Sequence, residues 1–261
     1  MNLKTDITGT LFVKDNFRLD YCLEESVRSL LPFCDEIIVL DCGSRDGTQE
    51  LIRNLANENT KIKAVYDHPW DVAYGYHRLR IIADDARRMV KTNWHFMLQA
   101  DEVVHEDSVP FILDAVKSGC GDRFFCRRYN LFGGMDHYIR FGSSYQPCND
   151  QVVRLGKQVF AVVGDAENID SDHAVDDYLD KINIVHYGFV RTGSILLDKA
   201  IEMQEWFGLG VDSRLLAMKK RGEIYESEVF ISKDYLDAIP FSHPKVAQKW
   251  VDSRRNDLTR K

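Results

Sequence analysis

The most constraining feature of this chain is a short apolar run that ends in acid. Glu36-Ile37-Ile38-Val39-Leu40 passes without a break into Asp41-Cys42-Gly43-Ser44-Arg45-Asp46-Gly47-Thr48. The run is too short for a helix, and four successive apolar side chains face both sides of a strand. Such a strand belongs in a parallel sheet covered on both faces. Gly9–Val13, Ile62–Tyr66 and Trp94–Leu98 read as further strands. Between them, Leu23, Val27, Leu30 and Leu31 fall on one helix face that Pro32 ends. Leu51, Ile52 and Leu55 mark a second helix, and Ala73–Val90 reads as one long Arg-rich helix. A fourth starts near Asp107-Ser108-Val109-Pro110. This β-α-β-α-β-α-β order predicts right-handed crossovers and a Rossmann-like sheet.

Past Cys120 the pattern changes. Phe124–Asn130, Val152–Leu155, Val159–Val163 and Ile182–Tyr187 read as strands, followed by a helix over Ser194–Phe207. The expected fold class is therefore α/β: a mostly parallel central sheet flanked by helices, with a mixed second half. One domain is expected over residues 1–235, and residues 236–261 are read as a basic, helical C-terminal tail. The last 21 residues carry six Lys and Arg against two Asp. That balance makes the tail a candidate for peripheral contact with an anionic membrane face. A solvated terminal helix is the plainer reading.

Several function classes drop out on composition. With 34 Lys and Arg against 41 Asp and Glu, the net charge is −7, wrong for a general nucleic-acid binder. No apolar run approaches the ~18 residues of a membrane span. The first residues, Met1-Asn2-Leu3-Lys4-Thr5-Asp6, lack the apolar core of a secretory signal, so a cytoplasmic location is expected. The six cysteines form no C-x-x-C pair and read as reduced thiols. Phosphate-loop, G-x-S-x-G and H-E-x-x-H motifs are absent.

Three motifs carry candidate chemistry. Asp41, Ser44 and Asp46 lie where open α/β sheets bind ligands, beyond the carboxyl end of a strand. A carboxylate there can accept hydrogen bonds from a base or a ribose; the alternative is a turn in which Asp or Thr caps the following helix. The second motif, Trp94-His95-Phe96-Met97-Leu98-Gln99-Ala100-Asp101-Glu102, runs an apolar strand into adjacent acids. Such acids suit a hard divalent ion, Mg²⁺ or Mn²⁺, or else form a solvated turn. In the third, Ile184-Val185-His186-Tyr187-Gly188-Phe189-Val190-Arg191, a strand ends in His186, either a metal ligand or a satisfied core histidine.

Together these motifs resemble the family 2 glycosyltransferases of GT-A fold, over roughly residues 8–205. The resemblance is carried by Asn16, Leu23–Leu31, Asp35–Asp41, Gly43–Thr48, Gly75 and Arg80, and by Gln99-Ala100-Asp101-Glu102 at the family's D-x-D site. Gln99–Glu106, Gly164-Asp165 and His186–Arg191 look like a bacterial subgroup. Gln99 stands where the family has its first Asp.

The resemblance implies an inverting transfer of sugar from a nucleoside diphosphate sugar to a hydroxyl of a glycan or lipid-linked acceptor, in cell-surface glycan synthesis. It places the protein in the cytoplasm or at the inner membrane face. Asp41, Ser44, Asp46, Arg80, Gln99, Ala100, Asp101 and Arg191 would bind the nucleotide sugar. Asp101 and His186 would hold the Mn²⁺ or Mg²⁺. The acceptor needs a carboxylate base; Asp165 is the first choice, with Glu167 and Asp150 in reserve. The alternatives are a nucleotide-sugar-binding scaffold without catalysis, motivated by Gln99, and a nucleotidyltransferase.

Overall fold

A computed structural model describes residues 4–142, 149–206, 210–223 and 233–258. The first half runs β1 (Ile7–Val13), α1 (Leu23–Leu30), β2 (Glu36–Asp41), α2 (Thr48–Glu58), β3 (Ile62–Val65), α3 (Arg78–Arg88) and β4 (Trp94–Met97). Then come β5 (Glu102–Val104), α4 (Val109–Ser118), β6 (Arg123–Asn130), β7 (His137–Ile139) and β8 (Gln151–Lys157). The chain continues with β9 (Val162–Val163), β10 (Asn168–Ile169), β11 (Ala174–Val175) and β12 (Asn183–His186). It closes with α5 (Gly193–Trp206), α6 (Ser213–Arg221), β13 (Leu236–Ala238) and α7 (Gln248–Leu258).

The main sheet has the order β3-β2-β1-β4-β8-β6-β12-β5, with β11 added beside β6. Strands β3, β2, β1 and β4 are parallel. Strand β8 runs antiparallel to both β4 and β6, and β5 antiparallel to β12. The expected α/β class, parallel first and mixed after, is the observed one, and it is the GT-A architecture. Ile37 and Val39 bury one face of β2 in the main core with Val27 and Leu30 of α1 and Ile52 and Leu55 of α2. Ile38 and Leu40 bury the other face against Ile82 and Ala86 of α3. That two-sided burial is why the run is apolar throughout; each such side chain contributes about 1.5–3 kcal/mol.

The order of the strands locates the site. Strands β1, β2 and β3 step one way across the sheet, and β4 then lies on the other side of β1. The switch point is the crevice between the carboxyl ends of β1 and β4, the favoured ligand position in open α/β sheets. After Met97 the chain leaves the sheet, turns through Gln99–Asp101 and re-enters at the far edge as β5.

Three local expectations fail. The single helix over 73–90 is a 3₁₀ segment, Val72–His77, followed by α3. Gly75 breaks it at φ 48°, ψ −131°, in the left-handed region that glycine tolerates. The strand over 159–163 shrinks to β9, with Val159 exposed. The terminal helix is not simply solvated: Ala247, Trp250 and Val251 are buried with Tyr187 of the core, and Arg254 pairs with Asp20.

Candidate active site

A cavity of about 270 Å³ opens at the switch point. Its floor is the ends of β1 and β4, with Phe12, Val13, Gln99, Ala100 and Asp101. One face of α5 forms a wall: Leu196, Lys199, Ala200, Met203 and Trp206 follow each other at helical spacing. The Trp206 ring meets Trp70 edge-on, centroids 5.2 Å apart. Asp165, Glu167, Arg128 and His186 complete the polar side.

Among the expected site residues, Gln99, Ala100, Asp101, Asp165, Glu167 and His186 share this cavity. Asp41, Ser44, Asp46, Arg80, Asp150 and Arg191 do not line it. Asp41 is fully buried, and its carboxylate accepts from the backbone N–H of Gly43 and Ser44 and from Gln49 Nε2 at 2.8 Å. Ser44 Oγ accepts from Asp15 N–H. Asp46 accepts from Thr48 N–H and Oγ and from Arg18 N–H. The segment after β1 thus ties this turn through Asp15 and Arg18. Asp150 accepts from Gly142 N–H.

The second motif is held from far along the chain. Asp101 Oδ2 accepts from Arg191 Nη2 at 3.0 Å and Lys199 Nζ at 2.8 Å, and Oδ1 lies 3.6 Å from His186 Nε2. Burial opposes ionisation of Asp101, but Lys199, His186 and Arg191 outweigh it and hold the carboxyl well below its usual range. Burial likewise pushes the His186 imidazole down, against the pull of Asp101. Gly188 leaves His186 its place, since a Cβ there would lie 2.2 Å from Nε2.

Glu102 turns away from the cavity. It is 0% exposed, as are Arg128 and Arg154, which both donate to its Oε1. Burial disfavours the Glu102 anion, and the two guanidiniums overcome that. Both arginines extend to the loop that carries Asp165. Arg154 Nη1 donates to the Ala166 carbonyl at 2.6 Å, and Arg128 Nη2 to Glu167 at 2.7 Å. Gln99 Nε2 reaches the same Ala166 carbonyl at 3.4 Å. Ala166 sits at φ 55°, a strained conformation for a residue with a Cβ, and the loop's anchors hold it there. Gln99 therefore has a physical reason: an acid in its place would face that carbonyl with no proton to give.

Asp165 differs from its neighbours. Its Oδ1 is buried without a hydrogen-bond partner. Burial, reinforced by Glu167, pushes its carboxyl up to about 6. Glu167 is engaged by Arg128 and by Asn149 Nδ2.

The residues do not fit the divalent ion that the resemblance implies. Hard cations collect anionic oxygens. Of the carboxylates at the cavity, Asp101 beside His186 already carries two cationic donors and Glu167 is held by Arg128 and Asn149; Glu102 is consumed by arginines, and Gln99 is neutral. Among the described residues no group of three His, Cys, Asp or Glu side chains is placed to hold a metal.

The sequence reading missed Lys14, Tyr21, Arg128, Arg154 and Lys199. A signal existed for three of them. Arg128 and Arg154 are charges inside strand patterns, and Lys199 is a lone cation on an apolar helix stripe; each demands a partner.

No curated protein matches the sequence. Among solved structures, Staphylococcus aureus TarS 1–349 aligns with a TM-score of 0.44 at 10% identity, covering 87% of this chain and 73% of that one. Its complex with UDP-GlcNAc gives 0.46 at 11%, covering 76% and 66%. A Pyrobaculum calidifontis mannosyltransferase, PcManGT, solved with GDP-Man and Mn²⁺, gives 0.39 at 16%, covering 49% and 36%. The family model described as glycosyl transferase family 2 matches residues 20–165. That span takes in the Asp41 turn, the Gln99–Glu102 turn and Asp165 itself, more than half of the chain, and the chain belongs to glycosyl transferase family 2.

Proposed function

We propose that this chain transfers a sugar from a nucleoside diphosphate sugar to an acceptor hydroxyl with inversion, and that Asp165 is the general base. The observation that carries the reading is Asp165: a cavity carboxylate with an unpartnered buried oxygen and a carboxyl pushed up to about 6. A base poised near the working pH is what proton abstraction from a hydroxyl requires.

The step follows from that placement. The acceptor oxygen attacks the anomeric carbon as its proton passes to Asp165. The bond from that carbon to the β-phosphate oxygen breaks, and the electron pair stays on the diphosphate. Attack from the face opposite the leaving group inverts the centre. Asp41 and its turn border the nucleotide at the rim. Trp70, Trp206, Phe132 and Phe189 offer faces on which sugar rings stack. Gln99-Ala100-Asp101-Glu102 supports the bacterial subgroup and, through it, a hexosyl transfer in cell-surface glycan synthesis. Among the described residues no helix is long and apolar enough to cross a membrane.

The divalent ion, Mn²⁺ or Mg²⁺, that the resemblance implies at Asp101 and His186 is the alternative source of counter-charge, and the donors already on Asp101 stand against it. It requires Lys199 and Arg191 to give up Oδ2. Incubation with UDP-, GDP-, ADP- and dTDP-sugars, with nucleotide release and anomeric configuration followed by NMR, tests the activity. Release of one nucleoside diphosphate with an inverted product supports it. Binding without release from any donor supports a non-catalytic scaffold.

A further inference from the structure

Two lysines face the cavity from opposite sides of the switch point. Lys14 follows β1, and its Nζ donates to the carbonyls of Cys42 and Gly43 at 3.2 and 3.3 Å. Among the described residues no carboxylate pairs with it. Lys199 comes from α5, donates to Asp101 Oδ2 at 2.8 Å and lies 5.3 Å from the centroid of Tyr21. Arg191 sits behind, fully buried and fixed by the carbonyls of Asp20 and Gly188 as well as by Asp101. The Lys199 side chain, 14% exposed, pairs with Asp101 and lines the cavity.

Strand β1 lies between β2 and β4, with Val13 beside Asp41 and Thr10 beside Met97. A donor with its nucleoside at the Asp41 turn and its sugar near Asp165 runs its diphosphate between these lysines. Two ammonium groups carry the same formal charge as one divalent ion. Taking the cavity as the donor site, as proposed above, we propose that Lys14 and Lys199 supply the counter-charge for the donor diphosphate, so that donor binding and cleavage need no divalent metal. As the anomeric C–O bond breaks, the electron pair on the β-phosphate oxygen is met by lysine N–H donors. The nucleoside diphosphate leaves held by both.

Binding of UDP, GDP, ADP and dTDP, and of the matching monophosphates, is measured by calorimetry in excess EDTA and again with Mn²⁺ or Mg²⁺. At least one diphosphate binds in EDTA with a Kd that the metals leave unchanged. Lys199→Met and Lys14→Met each weaken that diphosphate by roughly 10- to 100-fold, the worth of a charged hydrogen bond. They weaken the monophosphate far less, a split that general damage to the fold does not produce, and Lys199→Arg restores most of the affinity. Diphosphate binding that requires Mn²⁺ overturns the inference and leaves the donor site standing. Wild-type diphosphate affinity in both methionine variants does the same. Absence of nucleotide binding under every condition overturns both.

Discussion

The turn after β2 and the turn after β4 lie at the same edge of the sheet, yet their carboxylates are satisfied by different parts of the chain. Asp41 takes its hydrogen bonds from residues two to eight positions away, at Gly43, Ser44 and Gln49. Glu102 takes one bond from the Gln99 N–H three positions away, but its two charged donors, Arg128 and Arg154, come from 26 and 52 positions away. Asp101 reaches 90 and 98 positions, to Arg191 and Lys199. Asp41 is satisfied within its own turn, whereas the charged partners of Asp101 and Glu102 are brought in by the finished fold. An assembled site is expensive to break, because each deletion strands a buried charge.

Breaking the assembled turn gives the largest expected effect on stability. Glu102→Ala leaves Arg128 and Arg154 buried without their shared anion and costs about 3–5 kcal/mol in urea unfolding. A cost below about 1 kcal/mol, the worth of an exposed pair, contradicts the network. Gln99→Glu sets a carboxylate against the Ala166 carbonyl and costs about 1–3 kcal/mol. An unchanged unfolding midpoint removes the role given to Gln99.

The turn after β2, held by neutral donors, answers more mildly. Asp46→Ala removes the acceptor of Thr48 and Arg18 and costs about 0.5–2 kcal/mol, the range of a lost helix cap. Smallest is Ser44→Ala, which loses a single bond from Asp15 N–H and costs about 0.5–1.5 kcal/mol. Either variant costing more than Glu102→Ala reverses the comparison.

The contrast also explains what was legible beforehand. The parallel half was visible because Ile37–Leu40 and the helix stripes are set by local periodicity. The Asp41 turn was legible as a turn for the same reason. Gln99, Asp101, Asp165 and His186 stood out as strand-end polar groups, and the fold brings them to one cavity. Arg128, Arg154 and Lys199 did not, since their partners are fixed only when β6, β8 and α5 reach the crevice. Short elements such as β5 and β10 escaped because so few residues carry no period.

Asp165 carries a cost of its own. Its carboxyl is pushed up by burial, so the folded state binds its proton more tightly than the unfolded chain does. Its favourable contribution is present at low pH and is lost as pH rises through about 6. Asp165→Asn is therefore expected to stabilise the protein at neutral pH by about 1 kcal/mol after solvent screening, roughly 2–4 °C in Tm.

The most direct test of the account compares sugar transfer by wild type and Asp165→Asn from acid to neutral pH at saturating donor. The wild-type rate falls below about pH 6 as Asp165 takes up its proton. The variant binds donor normally and turns over about 10²- to 10⁴-fold more slowly. A variant that keeps the wild-type rate and the wild-type pH profile contradicts Asp165 as the base.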